Sequence, residues 1–175
     1  MEQTMKIILF SILVYLNLFA INVGDIPTNI TIQGDDGGLV SDEGNSWSST
    51  SIKDKTFVLF YVDPDEKDTN SHFNKLLKAK AFDKNKFASI AIINLAATWK
   101  PNFVIESILQ TKQEEFPDTI YVKDKASILV KEWQLPDDAS NIILFSTHGK
   151  VLFFKSGKME NKDIEKFLFL LNKEL

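Results

Sequence analysis

Phe57 to Leu77 reads "FVLFYVDPDEKDTNSHFNKLL". Its first six residues are apolar without a break and rich in β-branched and aromatic types. Such a run suits a strand buried on both faces of a sheet. Pro64 and the acids around it end that run. Thr69 or Asn70 is placed to cap a helix in which Phe73, Leu76 and Leu77 share one face. A buried strand that passes through an acidic loop into an amphipathic helix is the opening unit of an α/β sheet.

The pattern repeats downstream. "FASIAIINL" (87–95) predicts a second buried strand. Pro101 suits the first turn of the next helix, with Val104, Ile105, Ile108 and Leu109 as its apolar stripe. "DTIYVKD" (118–124) predicts a third strand, and "SILVKEWQL" (127–135) a short helix or turn. Then the period changes. "NIILFS" and "VLFFK" flank "THGK", two strands and a tight turn in which Gly149 takes positive φ. Asn161 is the expected N-cap of a last helix carrying Ile164, Phe167, Leu168 and Leu171. The order β-α-β-α-β-(α)-β-β-α implies parallel strands with crossover helices, then antiparallel edge strands. Upstream, residues 34–50 are rich in Gly, Ser and Asp, and a short strand pair is expected around Leu39-Val40 and Trp47.

Length and composition fit one globular domain over 21–175. With 20 basic and 24 acidic residues the net charge is −4, which gives a nucleic-acid partner or an anionic membrane surface no electrostatic support. Lys6 precedes the apolar run "IILFSILVYL" (7–16), and Ala20 follows at a plausible cleavage point. Residues 1–20 therefore read as a signal peptide, with Met5 an alternative start. Retention of 7–21 as an anchor is the competing reading; only then would a membrane be a partner. The chain has no cysteine. A small secreted eukaryotic domain would usually carry disulfides, so a bacterial periplasm is the expected compartment. The Asn-Ile-Thr glycosylation match at Asn29 is then idle.

Several segments carry a resemblance. "VGDIPTNITI" (23–32), a Gly-containing hairpin and "SIKDKTFVLFYV" (51–62) resemble the opening of extracytoplasmic thioredoxin-fold proteins of the TlpA and peroxiredoxin type. "FPDTIYVKDKASILVKEWQL" (116–135) resembles a later segment of the same fold. "LVKEWQLPDDASNIILFSTHGKVLFFKSG" (129–157) is similar to the C-terminal signature of the YtfJ family, periplasmic proteins of unknown function. The similarity covers Val23 to Leu171. It implies a thioredoxin-like fold: a central mixed sheet, flanking helices and an N-terminal hairpin extension.

In redox-active members of that fold, two cysteines open the helix after the first core strand. The matching positions here fall near Asp65 and Asp68. A cis-proline precedes the strand corresponding to "IILFS"; its place is taken by Ser140, or by Ala139 with a one-residue slip, and Pro136 comes about four residues too early. Thiol–disulfide exchange and peroxide reduction both need a thiolate, so the resemblance implies the scaffold without its redox chemistry.

The candidate binding edge is Asp63, Asp65, Asp68, His72 and Ser140. Asp63-x-Asp65 offers hard oxygen ligands, but Lys67 and Asp68 stand where an EF-hand needs a third ligand and a glycine. The run reads instead as a solvated helix N-terminus whose carboxylates favour the dipole, with all its acids exposed and no metal or cofactor expected. His72 beside carboxylates is a weak acid–base candidate with no activated nucleophile near it. His148 reads as a turn residue. Trp47, Trp99 and Trp133 line a pocket or close a core, and Trp133 is expected to be structural. The function expected is binding of a periplasmic protein, peptide or small ligand. The alternatives are an enzyme of unrelated chemistry at the former active-site edge, or a membrane-tethered accessory protein.

Overall fold

The computed structural model describes residues 21–42 and 45–175. The segment read above as signal peptide or anchor lies outside these, except for Ile21. No helix among the described residues is long and apolar enough to cross a membrane.

Twelve elements follow in chain order: β1 (Thr31–Ile32), β2 (Gly37–Leu39), β3 (Trp47–Ser48), β4 (Thr56–Val62), α1 (Ser71–Lys80), β5 (Phe87–Asn94), α2 (Asn102–Glu115), β6 (Thr119–Asp124), α3 (Ile128–Trp133), β7 (Ser140–Phe145), β8 (Val151–Ser156) and α4 (Asn161–Glu174). The main sheet runs β2-β6-β5-β4-β7-β8. Its three central strands β6, β5 and β4 are parallel; β7, β8 and β2 are antiparallel to their neighbours. This is the expected mixed α/β sheet.

β4 is apolar throughout because both its faces are covered. Phe57, Leu59 and Tyr61 pack on one face with Ile90, Ile92, Val122, Leu129 and Trp133. Val58 packs on the other with Phe73 of α1 and Phe167 of α4. The Phe73 and Phe167 rings meet edge-on, centroids 4.9 Å apart. Trp133 is buried, and its indole N–H donates to the Thr28 carbonyl at 2.9 Å, which gives the polar end of a core aromatic its partner.

Four local expectations need correction. The first concerns the strand pair. Trp47 pairs not with Leu39 but with Ile32, while Gly37–Leu39 lies along β6 with Gly37 opposite Asp124. Gly37 and Gly38 permit this. A Cβ on Gly37 would stand 2.0 Å from the Lys123 carbonyl oxygen, and one on Gly38 2.4 Å from that of Asn45. Their φ angles of +124° and +138° are also glycine's territory. Second, α2 buries only Ile105 and Leu109; Val104 and Ile108 are 39% and 50% exposed. Residues four apart keep one face, and the sheet contacts no more of the helix than that. Third, Glu160 rather than Asn161 caps α4, exchanging side-chain bonds with the Asp163 end in a capping box. Fourth, Asn70 stands at the N-cap of α1 as expected, but its side chain makes no capping bond and is spent on Ser140, Gly157 and Met159, while Thr69 Oγ1 donates to Glu66.

The far edge of the sheet is partly covered. Val151, which opens β8, donates to the Asp25 carbonyl at 2.9 Å and accepts from Gly24 N–H at 2.8 Å.

Candidate functional site

The three parallel strands each end in a polar residue. β4 runs into Asp63, β5 ends in Asn94 and β6 in Asp124. Strand alternation sets these side chains on the face that carries Tyr61, and Asn141 of β7 stands opposite Tyr61 in the register. All four polar residues are buried, Asp63 at 2% exposure. Gln134 to Ala139, between α3 and β7, closes over them.

The layer is largely paired. Asp124 accepts from the Tyr61 hydroxyl and from the backbone N–H groups of Ala126, Ile128 and Leu129 at the start of α3. Burial first, and then Asp124, push the Tyr61 hydroxyl well above the usual tyrosine range. Ser127 donates to the Asn94 carbonyl oxygen at 2.9 Å, and Asn94 donates to Asp137 at 3.0 Å. Asn141 donates to the Pro136 carbonyl at 2.8 Å.

Asp63 differs. Its Oδ2 accepts from Ala139 N–H at 2.6 Å, and its own N–H donates to the Ala139 carbonyl at 3.1 Å. Its Oδ1 is buried without a hydrogen-bond partner, as is Oδ1 of Asn141. Burial pushes the Asp63 carboxyl up to about 6; hydrogen bonding from Ala139 and the nearby Asn94 side chain opposes this, and Asp137 and Asp138 add to it. One carboxylate oxygen from each of Asp63, Asp137 and Asp138 lies within 4.8 Å of the others.

The five residues singled out from sequence do not form one group. Asp63, Asp65 and Asp68 do lie between the carboxyl end of β4 and the start of α1, with a 3-10 turn at Pro64–Glu66 between them. Asp63 was expected to be exposed and is not, because the 134–139 segment covers it. Asp65 is exposed, bonded to Thr98 at 3.1 Å and ion-paired with Lys100, whose hydrogen bond holds its carboxyl below the usual range. Asp68 is exposed. His72 is exposed apart from its Nε2, which donates to the Met159 carbonyl at 2.8 Å. Ser140 is buried on the opposite face of the sheet, accepting from Asn70 at 3.0 Å. Among the described residues, no hydrogen bond or ion pair joins Asp65, Asp68 and His72. The bond before Ser140 is trans, like every described peptide bond.

Sequence reading missed Asn94, Asp124, Asp137, Asp138 and Asn141. A usable signal was there: every parallel strand stops at Asp or Asn, one position past its last apolar residue or nearly so.

Beside Asp65 lies a second feature. Trp99 is 86% exposed and Phe103 72%, with Val104 and Ile108 on the same helix. Trp47 and Trp133, in contrast, are core. A cleft of about 240 Å³ lies at the other end of the sheet, lined by Ile26, Ile52, Trp133, Phe145 and His148 among others. It shares Trp133 with the core and includes none of Asp63, Asp65, Asp68, His72 and Ser140.

The family described as "Bacterial protein of unknown function (YtfJ_HI0045)" matches residues 27–174. An uncharacterized protein of Haemophilus influenzae is 30% identical over 130 residues, covering 72% of this chain and 70% of that protein. The uncharacterized protein YtfJ of Escherichia coli K12 is 22% identical over 156 residues, covering 85% and 83%. A thiol-disulfide isomerase structure from Corynebacterium glutamicum superposes with a TM-score of 0.58 at 15% identity, over 83% of this chain and 96% of that one. At that identity the likeness is one of fold, and the fold is thioredoxin-like.

Proposed function

This chain belongs to the YtfJ_HI0045 family, and from that premise we propose that it is an exported, redox-silent thioredoxin-fold protein that binds a protein partner beside the carboxyl edge of its sheet. The observation that carries this reading is the exposure of Trp99 and Phe103 on either side, in sequence, of the Lys100 that pairs with Asp65. Aromatic side chains this exposed, with charged residues adjacent in the chain, are the make-up of an interaction surface. Ligands of open α/β sheets gather at this end of the strands. Absence of cysteine removes thiol chemistry from the scaffold. Unrelated enzyme chemistry has less support, since among the described residues no hydrogen bond or ion pair joins Asp65, Asp68 and His72.

Export to the periplasm rests on Lys6, the apolar run 7–16 and Ala20. Mass spectrometry of the protein purified from its host is expected to find an N-terminus at Ile21 or close to it. An intact 7–16 segment would instead make it a tethered protein.

The binding reading is tested with a photo-crosslinking amino acid placed at Phe103 in living cells. A discrete protein adduct is expected there and not from the same probe at Phe169, which is 58% exposed on α4. The adduct should be lost on Trp99→Ser. No adduct at Phe103, or equal adducts at both positions, would remove the support.

A further inference from the structure

We propose that Asp63, Asp137 and Asp138 form a binding site for a hard divalent cation at the carboxyl edge of the sheet. The inference goes beyond the partner-binding reading and does not depend on it.

Spacing is the first ground. Carboxylate oxygens of the three aspartates lie within 4.8 Å of one another. Two oxygens on one calcium ion, each at about 2.3–2.6 Å, are at most about 5 Å apart. Three carboxylates converge on a region the size of one oxygen shell. Without a cation, ionised carboxylates at this spacing repel one another.

The second ground is independent of the cluster. Two oxygens are buried and unpartnered: Oδ1 of Asp63 and Oδ1 of Asn141, in residues 2% and 0% exposed. Buried acceptors are ordinarily satisfied. The comparison within the same layer is direct. Asp124, equally buried, takes four donors, one of them the Tyr61 hydroxyl. Asp63 takes one close bond, from Ala139, with the Asn94 side chain nearby, and its Oδ1 lies buried without a hydrogen-bond partner while Asp137 and Asp138 add negative charge beside it. A cation would supply the partner that Asp63 Oδ1 lacks.

Charge is the third. Among the described residues no Lys, Arg or His forms an ion pair with Asp63, Asp137 or Asp138. Three carboxylates make an all-oxygen set, which suits calcium, magnesium or manganese rather than zinc or copper. Asp137 and Asp138 are exposed and Asp63 is not. The ion would enter from solvent, complete its shell with water and be held against the buried carboxylate.

The test is calorimetric titration of the purified, chelator-stripped protein with calcium chloride and, separately, magnesium chloride, at pH 7.5. One ion per chain is expected, with a dissociation constant of roughly 10⁻⁴–10⁻³ M for calcium, the range of extracellular modules. Saturation by magnesium alone would keep the site and change the ion. Asp137→Asn/Asp138→Asn, which alters exposed residues only, should weaken binding at least about tenfold, since ligand charge sets affinity. Asp63→Asn should do the same with the fold intact by circular dichroism. Asp35→Asn/Asp36→Asn, an exposed acidic pair elsewhere, should change nothing. No binding of either ion at about 10 mM, beyond the weakest of those modules, would overturn the proposal. So would binding that survives Asp137→Asn/Asp138→Asn unchanged.

Discussion

Asp63→Asn is expected to make the protein more stable at pH 8, by roughly 2–3 kcal/mol in ion-free buffer. A buried carboxylate with one empty oxygen is a cost the folded state carries when ionised. Its carboxyl is raised from 3.8 to about 6 by burial above all. The sign follows from proton binding. Below pH 3.8 both folded and unfolded forms hold the proton, and Asp63 costs nothing by this route. Between 3.8 and 6 the unfolded chain releases it while the folded chain keeps it, so stability falls as pH rises. Above about 6 both are ionised and the full penalty stands. Asparagine keeps an oxygen for Ala139 N–H and carries no charge. Denaturant unfolding of wild type and variant from pH 4 to pH 8, with chelator present, reads the effect as a difference that opens between pH 4 and 6. An equal difference at both ends would mean that Asp63 is ionised in the fold at no cost. Saturating divalent ion should close or reverse the gap, because the ion stabilises only the wild type.

Asn70→Ala is expected to cost about 3 kcal/mol, because it removes three hydrogen bonds and strands a buried donor. Asn70 is 2% exposed. Its amide nitrogen donates to Ser140 Oγ and to the Gly157 carbonyl, both at 3.0 Å, and its oxygen accepts from Met159 N–H at 2.8 Å. One side chain thus ties the start of α1 to the start of β7 and to the connection between β8 and α4. Met159 is itself buried, so its N–H would lose its partner where water does not reach. Urea unfolding of the variant measures the loss. A cost below about 1 kcal/mol, the scale of an ordinary cap, would mean that the connection re-forms its bonds elsewhere.

The parts of this fold legible from sequence are those set by local pattern. "TFVLFYV" is buried on both faces and is therefore apolar throughout. Pro64 ends it, which places the acidic residues at the strand's carboxyl end. The hairpin around Gly149 was legible for the same reason, since its φ of +75° needs the residue that stands there. What escaped depends on contacts distant in sequence. Asp63 looks like one acid of an exposed run until Ala139, 76 positions on, covers it. Asp137 and Asp138 carry no signal of their own; they matter because the segment after α3 folds back over β4. Asn70 follows the rule for helix caps and then serves a connection 87 to 89 residues away. Val104 and Ile108 fit a helix stripe, but a stripe says how wide an apolar face is and not how much of it the sheet covers.

The two outer strands bear on how copies of this chain avoid one another. A bare strand edge invites a second molecule to add its own strand, the first step of β-aggregation. Here one edge, β2, is three residues long and begins with the two glycines pressed against Lys123 and Asn45. A template so short offers little to extend. At the other edge, Val151 has its backbone groups taken by Gly24 and Asp25, and Lys155 adds a charge within the strand, held by Asp163. One margin of the sheet is short and the other is blocked at its start and carries a charge, and both features disfavour the zipping of one sheet onto a neighbour's.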